Sequence, residues 1–138
     1  MIYRDIIPSK ELEAFAHAMN TRAKLVGVAG FIDITGLRDR ILSCGGRCQW
    51  CDVSVVGQAI EIDHIISLNQ GGGNVPENLV VSCPSCNRKK GTKHPVTFAQ
   101  EISRTASLIT PFVETILKHY EAPPHHQLSL FDLDDDDR

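Results

Sequence analysis

Two Cys-x-x-Cys pairs, Cys48/Cys51 and Cys83/Cys86, stand in this chain with 31 residues between them. Four thiolates are the ligand set of a closed tetrahedral structural zinc site, and such a site forces two remote turns of chain together. A fifth cysteine, Cys44, is left over. An odd thiol without an export signal fits a disulfide framework poorly. A thioredoxin-type dithiol is the alternative, but it needs only one pair and a βαβ setting that neither pair has. Zn²⁺ is therefore the expected ligand of Cys48, Cys51, Cys83 and Cys86. Cys44 could displace Cys48, or serve as a free thiol or a core residue.

The 138 residues around these pairs are 42% apolar, enough for one hydrophobic core. No apolar run reaches membrane-spanning length, and "MIYRDIIPSKELEAF" has neither the basic start nor the apolar centre of a signal peptide. A soluble, cytoplasmic protein with no membrane partner is expected. The net charge of −3 divides unevenly along the chain. Glu121 and Asp132, Asp134, Asp135, Asp136 and Asp137 against Arg138 make the last segment strongly acidic, while the preceding residues carry a small basic excess.

Local patterns divide the chain into four parts: an N-terminal helical scaffold (1–43), a cysteine-bearing core (44–94), a C-terminal helical scaffold (95–120) and an acidic tail expected to be disordered (121–138). After Pro8, Ser9 can cap a helix whose apolar stripe is Leu12, Phe15, Ala16 and Met19, with His17 at its surface or edge. Thr35 can cap a second, with Leu37, Ile41 and Leu42 facing inward. "VSVV" and "AIEIDHIIS" read as two strands joined through a turn at Gly57, "NQGGGN" as a loop, and "NVPENLVV" as one helical turn with Asn78 near its end. In "CPSCNRKKG", Cys83 caps a short helix, Pro84 opens it and Gly91 lies just past its end. Strand, strand, loop and helix would thus surround a metal. Trp50 reads as local packing, and the apolar residues of 96–120 fit a helix broken or kinked at Pro111.

Zinc does not account for Asp63, His64, Asn78 and Asn87. Here "IDHI", the glycine-rich loop, "PENL" and "CPSCNRKKG", in this order over about residues 48–91, closely resemble the HNH endonuclease family, of the branch braced by a four-cysteine zinc. The resemblance implies an α+β fold with a ββα-metal (His-Me finger) core flanked by helices, and metal-dependent hydrolysis of DNA phosphodiester bonds. It assigns His64 as general base, Asn78 as the residue orienting it through its side-chain carbonyl, and Asp63 and Asn87 as ligands of a catalytic ion. Imidazole has the intrinsic basicity that role needs at neutral pH. One carboxylate and one amide oxygen favour Mg²⁺ or Mn²⁺ over a catalytic zinc. Adjacent strand positions face opposite ways, so Asp63 and His64 share a site only if the strand ends or distorts there. Asn87 stands where the family name has its final histidine. Arg88, Lys89, Lys90 and Lys93 form the densest basic run and would contact phosphates.

In the tail, Gln127, Leu128, Ser129, Leu130 and Phe131 resemble the short peptide by which bacterial replication and repair proteins bind the sliding clamp. The resemblance implies Leu128, Leu130 and Phe131 as apolar anchors, Gln127 as their polar companion, and replication-coupled or repair cleavage as the setting. Two other readings stay open at this point: a non-catalytic zinc module that binds nucleic acid or protein, and cleavage of RNA. The pattern leaves oligomeric state open.

Overall fold

The computed structural model describes residues 3–122; the clamp-like peptide at 127–131 lies outside them. Among the described residues six α-helices and two strands follow one another as α1 (Tyr3–Ile6), α2 (Ser9–Val26), α3 (Ile34–Ser43), β1 (Glu61–His64), β2 (Leu79–Ser82), α4 (Pro84–Lys90), α5 (Pro95–Thr105) and α6 (Pro111–His119). The fold is α+β, a ββα core flanked by helices on both sides in sequence. One hydrophobic cluster runs from Ile6 to Ile116, so both helical arms and the central strands share a single core.

α2 buries Leu12, Ala16, Met19 and Ala23, which extends the expected stripe by one turn. Pro8, not Ser9, holds the cap position, and Gly27 ends the helix in the left-handed region (φ 74°), donating to the carbonyls of Ala23 and Lys24. α3 is capped by Asp33 rather than Thr35, its carboxylate accepting from the Gly36 N–H at 2.6 Å. Leu37 and Ile41 face inward, whereas Leu42 is exposed.

The strand pairing differs from that expected. β1 pairs antiparallel with β2, Glu61 opposite Ser82 and His64 opposite Leu79, and "VSVV" forms no strand. The physical reason is the turn at the first cysteine pair. Cys48 N–H donates to the Val53 carbonyl and Val55 N–H to the Gly46 carbonyl, so this segment spends its hydrogen bonds on the knuckle. Ser54 makes one isolated bridge to Arg47, and Val53 and Val56 remain exposed. Pro76–Asn78 does form one turn, of 3₁₀ type, and delivers the chain directly into β2. β2 is buried at every residue. Arg40 of α3 donates to the Leu79 carbonyl at 2.6 and 3.2 Å, and Gln49 exchanges hydrogen bonds with the Val81 backbone through its own N–H and its side-chain oxygen.

Of the two alternatives at Pro111, a break or a kink, the structure has the break: α5 ends at Thr105 and α6 begins at Pro111. Pro111 opens α6, where its missing N–H costs nothing, and Thr110 caps that helix by accepting from Val113 N–H at 3.1 Å. The same hydroxyl donates to the Gln49 carbonyl at 2.6 Å, tying the helical hairpin to the cysteine knuckle. Trp50, fully buried, takes edge contacts from Phe98 (4.9 Å) and Phe112 (5.0 Å), so the packing role expected for it holds.

His94 caps α5, its Nδ1 accepting from Val96 N–H at 3.2 Å. Burial, and secondarily the Lys90 charge, hold this imidazole below its ordinary value of 6.5. The unfolded chain therefore takes up the proton first as pH falls, and protonation removes the cap acceptor. Stabilisation from this residue is complete above about pH 6.5 and is lost as pH falls through the lower folded value. His94→Asn keeps a cap oxygen without a titration. Urea midpoints compared between about pH 7.5 and pH 5.5 should show the wild type losing stability relative to the variant; parallel midpoints would refute the assignment.

Candidate functional site

The four cysteines converge as the spacing demands. Cys48 and Cys51 come from the knuckle before β1, Cys83 and Cys86 from the start of α4, and their sulfurs all lie within 4.8 Å of one another. Sulfurs about 2.3 Å from one tetrahedral zinc stand about 3.8 Å apart. The Cys51 and Cys83 sulfurs are 3.8 Å apart. Residue types and geometry therefore fit Zn²⁺. Cys83 Sγ also accepts from Cys86 N–H, so the start of α4 turns a backbone donor toward the sulfurs. The thiols compete for charge: Cys86 donates to Cys48, which lowers Cys48 to about 4 and pushes Cys86 up, while burial raises Cys51. A divalent cation relieves that competition. Cys44 is half-buried against the core, outside the cluster, and burial pushes its thiol up.

β1 ends at His64, and its burial alternates to the last residue: Ile62 and His64 are buried, Glu61 and Asp63 half-buried. Asp63 Oδ1 turns back to accept the His64 N–H at 2.9 Å. Asn87 is half-buried on α4, which packs against β1. His64 is 3% exposed, and its Nε2 lies 3.0 Å from Oδ1 of Asn74.

Asn78 makes different contacts from those the sequence suggested. Its Oδ1 accepts from Ile66 N–H at 3.0 Å, and its Nδ2 donates to the carbonyls of Ile66 and Gly73, each at 2.9 Å. Its backbone carbonyl accepts from Ile65 N–H at 2.7 Å. Asn78 thus fastens the chain just beyond His64, while the contact to the imidazole comes from Asn74. Gly72 is what lets this loop close. It is buried, and a Cβ there would overlap the Ile66 carbonyl and press on Asn78 Nδ2 at 2.8 Å. Asn74 was not singled out in the sequence. Its only signal was its place after three glycines, where an asparagine ordinarily reads as a turn residue.

The basic run separates. Arg88 and Lys89 are exposed, Lys93 pairs with Glu101 at 2.9 Å, and Lys90 is 3% exposed. Lys90, grouped with its neighbours as a phosphate contact, instead sits on the inner side of α4 with Cys86. Cys83, Cys86, Asn87 and Lys90 follow one another at i, i+3, i+4 and i+7, which puts them on one broad face of the helix.

Residues 48–93, a third of the chain, match the family model of the HNH endonucleases. That stretch contains the four cysteines, both strands, the loop between them and α4, and the match supports a nuclease-type function. Among solved structures the chain is similar to the Type II-C Cas9 enzyme from Actinomyces naeslundii, with 22% identity and a TM-score of 0.45 over 94% of this chain and 13% of that one. No curated protein matches the chain. Among the described residues no helix is long and apolar enough to cross a membrane.

Purified protein should contain one zinc per chain by elemental analysis. Cys51→Ser should lower that content and the thermal midpoint together, whereas Cys44→Ser should leave the zinc content unchanged. Loss of zinc in Cys44→Ser would put the spare thiol in the ligand set.

Proposed function

We propose that this protein is a metal-dependent DNA endonuclease of the HNH type, with His64 as general base. The observation that supports it is the coincidence of the family match with a zinc-competent cluster that braces the same two strands and helix. In this reading Asp63 and Asn87 hold a Mg²⁺ or Mn²⁺ ion. One carboxylate and one amide oxygen suit a hard cation that keeps several waters. When bound, that ion supplies positive charge to the scissile phosphate and the departing oxygen.

The chain's own residues do the rest. With Nε2 engaged by Asn74, Nδ1 is the nitrogen left to take a proton from the attacking water. Asn78 acts by position, holding the backbone of residues 65, 66 and 73 so that the loop beyond His64 keeps one shape. Arg88 and Lys89 contact backbone phosphates, which gives affinity without sequence readout. Lys93 adds to them when DNA competes with Glu101 for its ammonium. With a single site per chain, cutting both strands takes two subunits or two successive events.

One observation favours a non-catalytic zinc module that binds nucleic acid: His64 is as enclosed as a satisfied structural imidazole. Cleavage of supercoiled plasmid separates the readings. Wild-type protein with Mg²⁺ or Mn²⁺ should nick or linearise it, a chelator should stop the reaction, and His64→Ala should slow it by about 10²–10⁴-fold. Equal activity of both proteins would remove His64 from the mechanism. Matched RNA and DNA substrates assign the polymer.

We further propose, from sequence alone, that Gln127, Leu128, Leu130 and Phe131 recruit the enzyme to a bacterial sliding clamp for replication-coupled or repair cleavage. A short apolar peptide in an acidic tail can order on a preformed pocket. Leu130→Ala combined with Phe131→Ala should abolish clamp binding in a calorimetric titration while cleavage of free DNA continues; undiminished binding would refute this partner.

A further inference from the structure

Nothing in residues 48–93 explains why His64 should present one ring nitrogen rather than the other. The explanation begins outside that segment, on α2. Asn20 brackets the backbone of Ile32: its Nδ2 donates to the Ile32 carbonyl at 2.9 Å, and its Oδ1 accepts from the Ile32 N–H at 2.8 Å. A backbone N–H can only donate and a carbonyl can only accept, so this amide has one permissible orientation. Its Oδ1 also receives Nδ2 of Asn74 at 2.9 Å.

That contact fixes the next residue. Only a donor can face an oxygen acceptor, so Asn74 must turn its NH₂ toward Asn20 and its Oδ1 toward His64. The His64 Nε2, 3.0 Å from that oxygen, must then carry the hydrogen, which leaves the lone pair on Nδ1. Asn74 is 0% exposed and His64 3%, so little water competes with these bonds. Asn74 Nδ2 also approaches the Gly30 carbonyl at 3.4 Å. Gly30 itself (φ 113°) must be glycine, because a Cβ there would lie 2.5 Å from the Asn74 carbonyl oxygen.

We propose that Asn20 is a positioning residue that sets the tautomer of His64 through Asn74, carrying donor–acceptor polarity from the Ile32 backbone into the candidate catalytic site. The tautomer itself does not depend on what the protein does; its consequence for cleavage rests on the nuclease reading above.

Two substitutions at position 20 separate polarity from packing. Asn20→Asp keeps an oxygen facing Asn74 but cannot donate to the Ile32 carbonyl. It should lower stability and preserve the tautomer. Asn20→Leu removes the closer acceptor and leaves only the longer contact to the Gly30 carbonyl, at 3.4 Å, to hold the Asn74 amide, and should give a mixture of ring tautomers. The readout is the pair of ring-nitrogen resonances of His64 in ¹⁵N-labelled, zinc-loaded full-length protein, recorded at alkaline pH and without Mg²⁺. The wild type and Asn20→Asp should show Nε2–H alone, and Asn20→Leu both forms.

A purely structural Asn20 would lower the thermal midpoint in both variants and leave the tautomer of both at Nε2–H, which would overturn the proposal. An Nδ1–H ring in the wild type would overturn it with no variant at all. Should Asn20→Leu fail to fold, Asn20→Ala takes its place under the same criterion. In plasmid cleavage, Asn20→Leu should lower kcat in proportion to the Nε2–H fraction lost, about 2-fold for an even mixture, with DNA affinity retained. A shifted tautomer with unchanged kcat would uphold the positioning of His64 while removing it as the base, so the two readings fail separately.

Discussion

Four sulfurs gathered within 4.8 Å set the arrangement on which the rest of the molecule depends. Each pair alone closes only a tight turn. Joined, they anchor the start of α4 to a knuckle more than thirty residues earlier, and the sequence between has to leave and return within that constraint. The two paired strands are short, four residues each, and such a hairpin is marginal in water without support. Support comes from the four-cysteine cluster at one end, from Arg40 and Gln49 along β2, and from Trp50 against the rings of Phe98 and Phe112. A thiolate-bound ion contributes folding free energy directly, so the site can be shaped by a sheet too small to stand alone.

Backbone groups govern the polar interior. Asn78 and Asn20 each bind both a main-chain N–H and a main-chain carbonyl, which is the arrangement that leaves an amide no freedom to turn over. Asn78 uses it to hold a loop, and Asn20 to hold a segment from which Asn74 and then His64 take their orientation. The candidate base is thus oriented by neutral amides, without a buried carboxylate and its desolvation cost.

The sequence revealed most where one residue type has few uses. Cys48, Cys51, Cys83 and Cys86 announced their cluster by number and spacing. Cys83, Pro84 and Gly91 marked both ends of α4, because proline and glycine at those positions have direct steric reasons. The strand partner was less legible: "VSVV" and "LVVS" have nearly the same composition, and what distinguishes them is the knuckle that consumes the hydrogen bonds of the first. Lys90 was hidden for a related reason, since charge predicts exposure unless the helix face is already claimed by a metal cluster. Asn74 and Asn20 could not be read at all. They stand 54 residues apart, one in a glycine loop and one at mid-helix, and neither setting signals that the two amides meet.

The segment resembling a nuclease is not a portable module in this protein. Its indole at position 50 is roofed by residues 98 and 112, and its buried amide at position 74 finds its partner at residue 20. Excised at residues 48 and 93, it would expose an aromatic surface on one side and lose a hydrogen-bond acceptor on the other. The helical arms are therefore parts of the machine, and grafting this core onto another protein would require carrying both of them along.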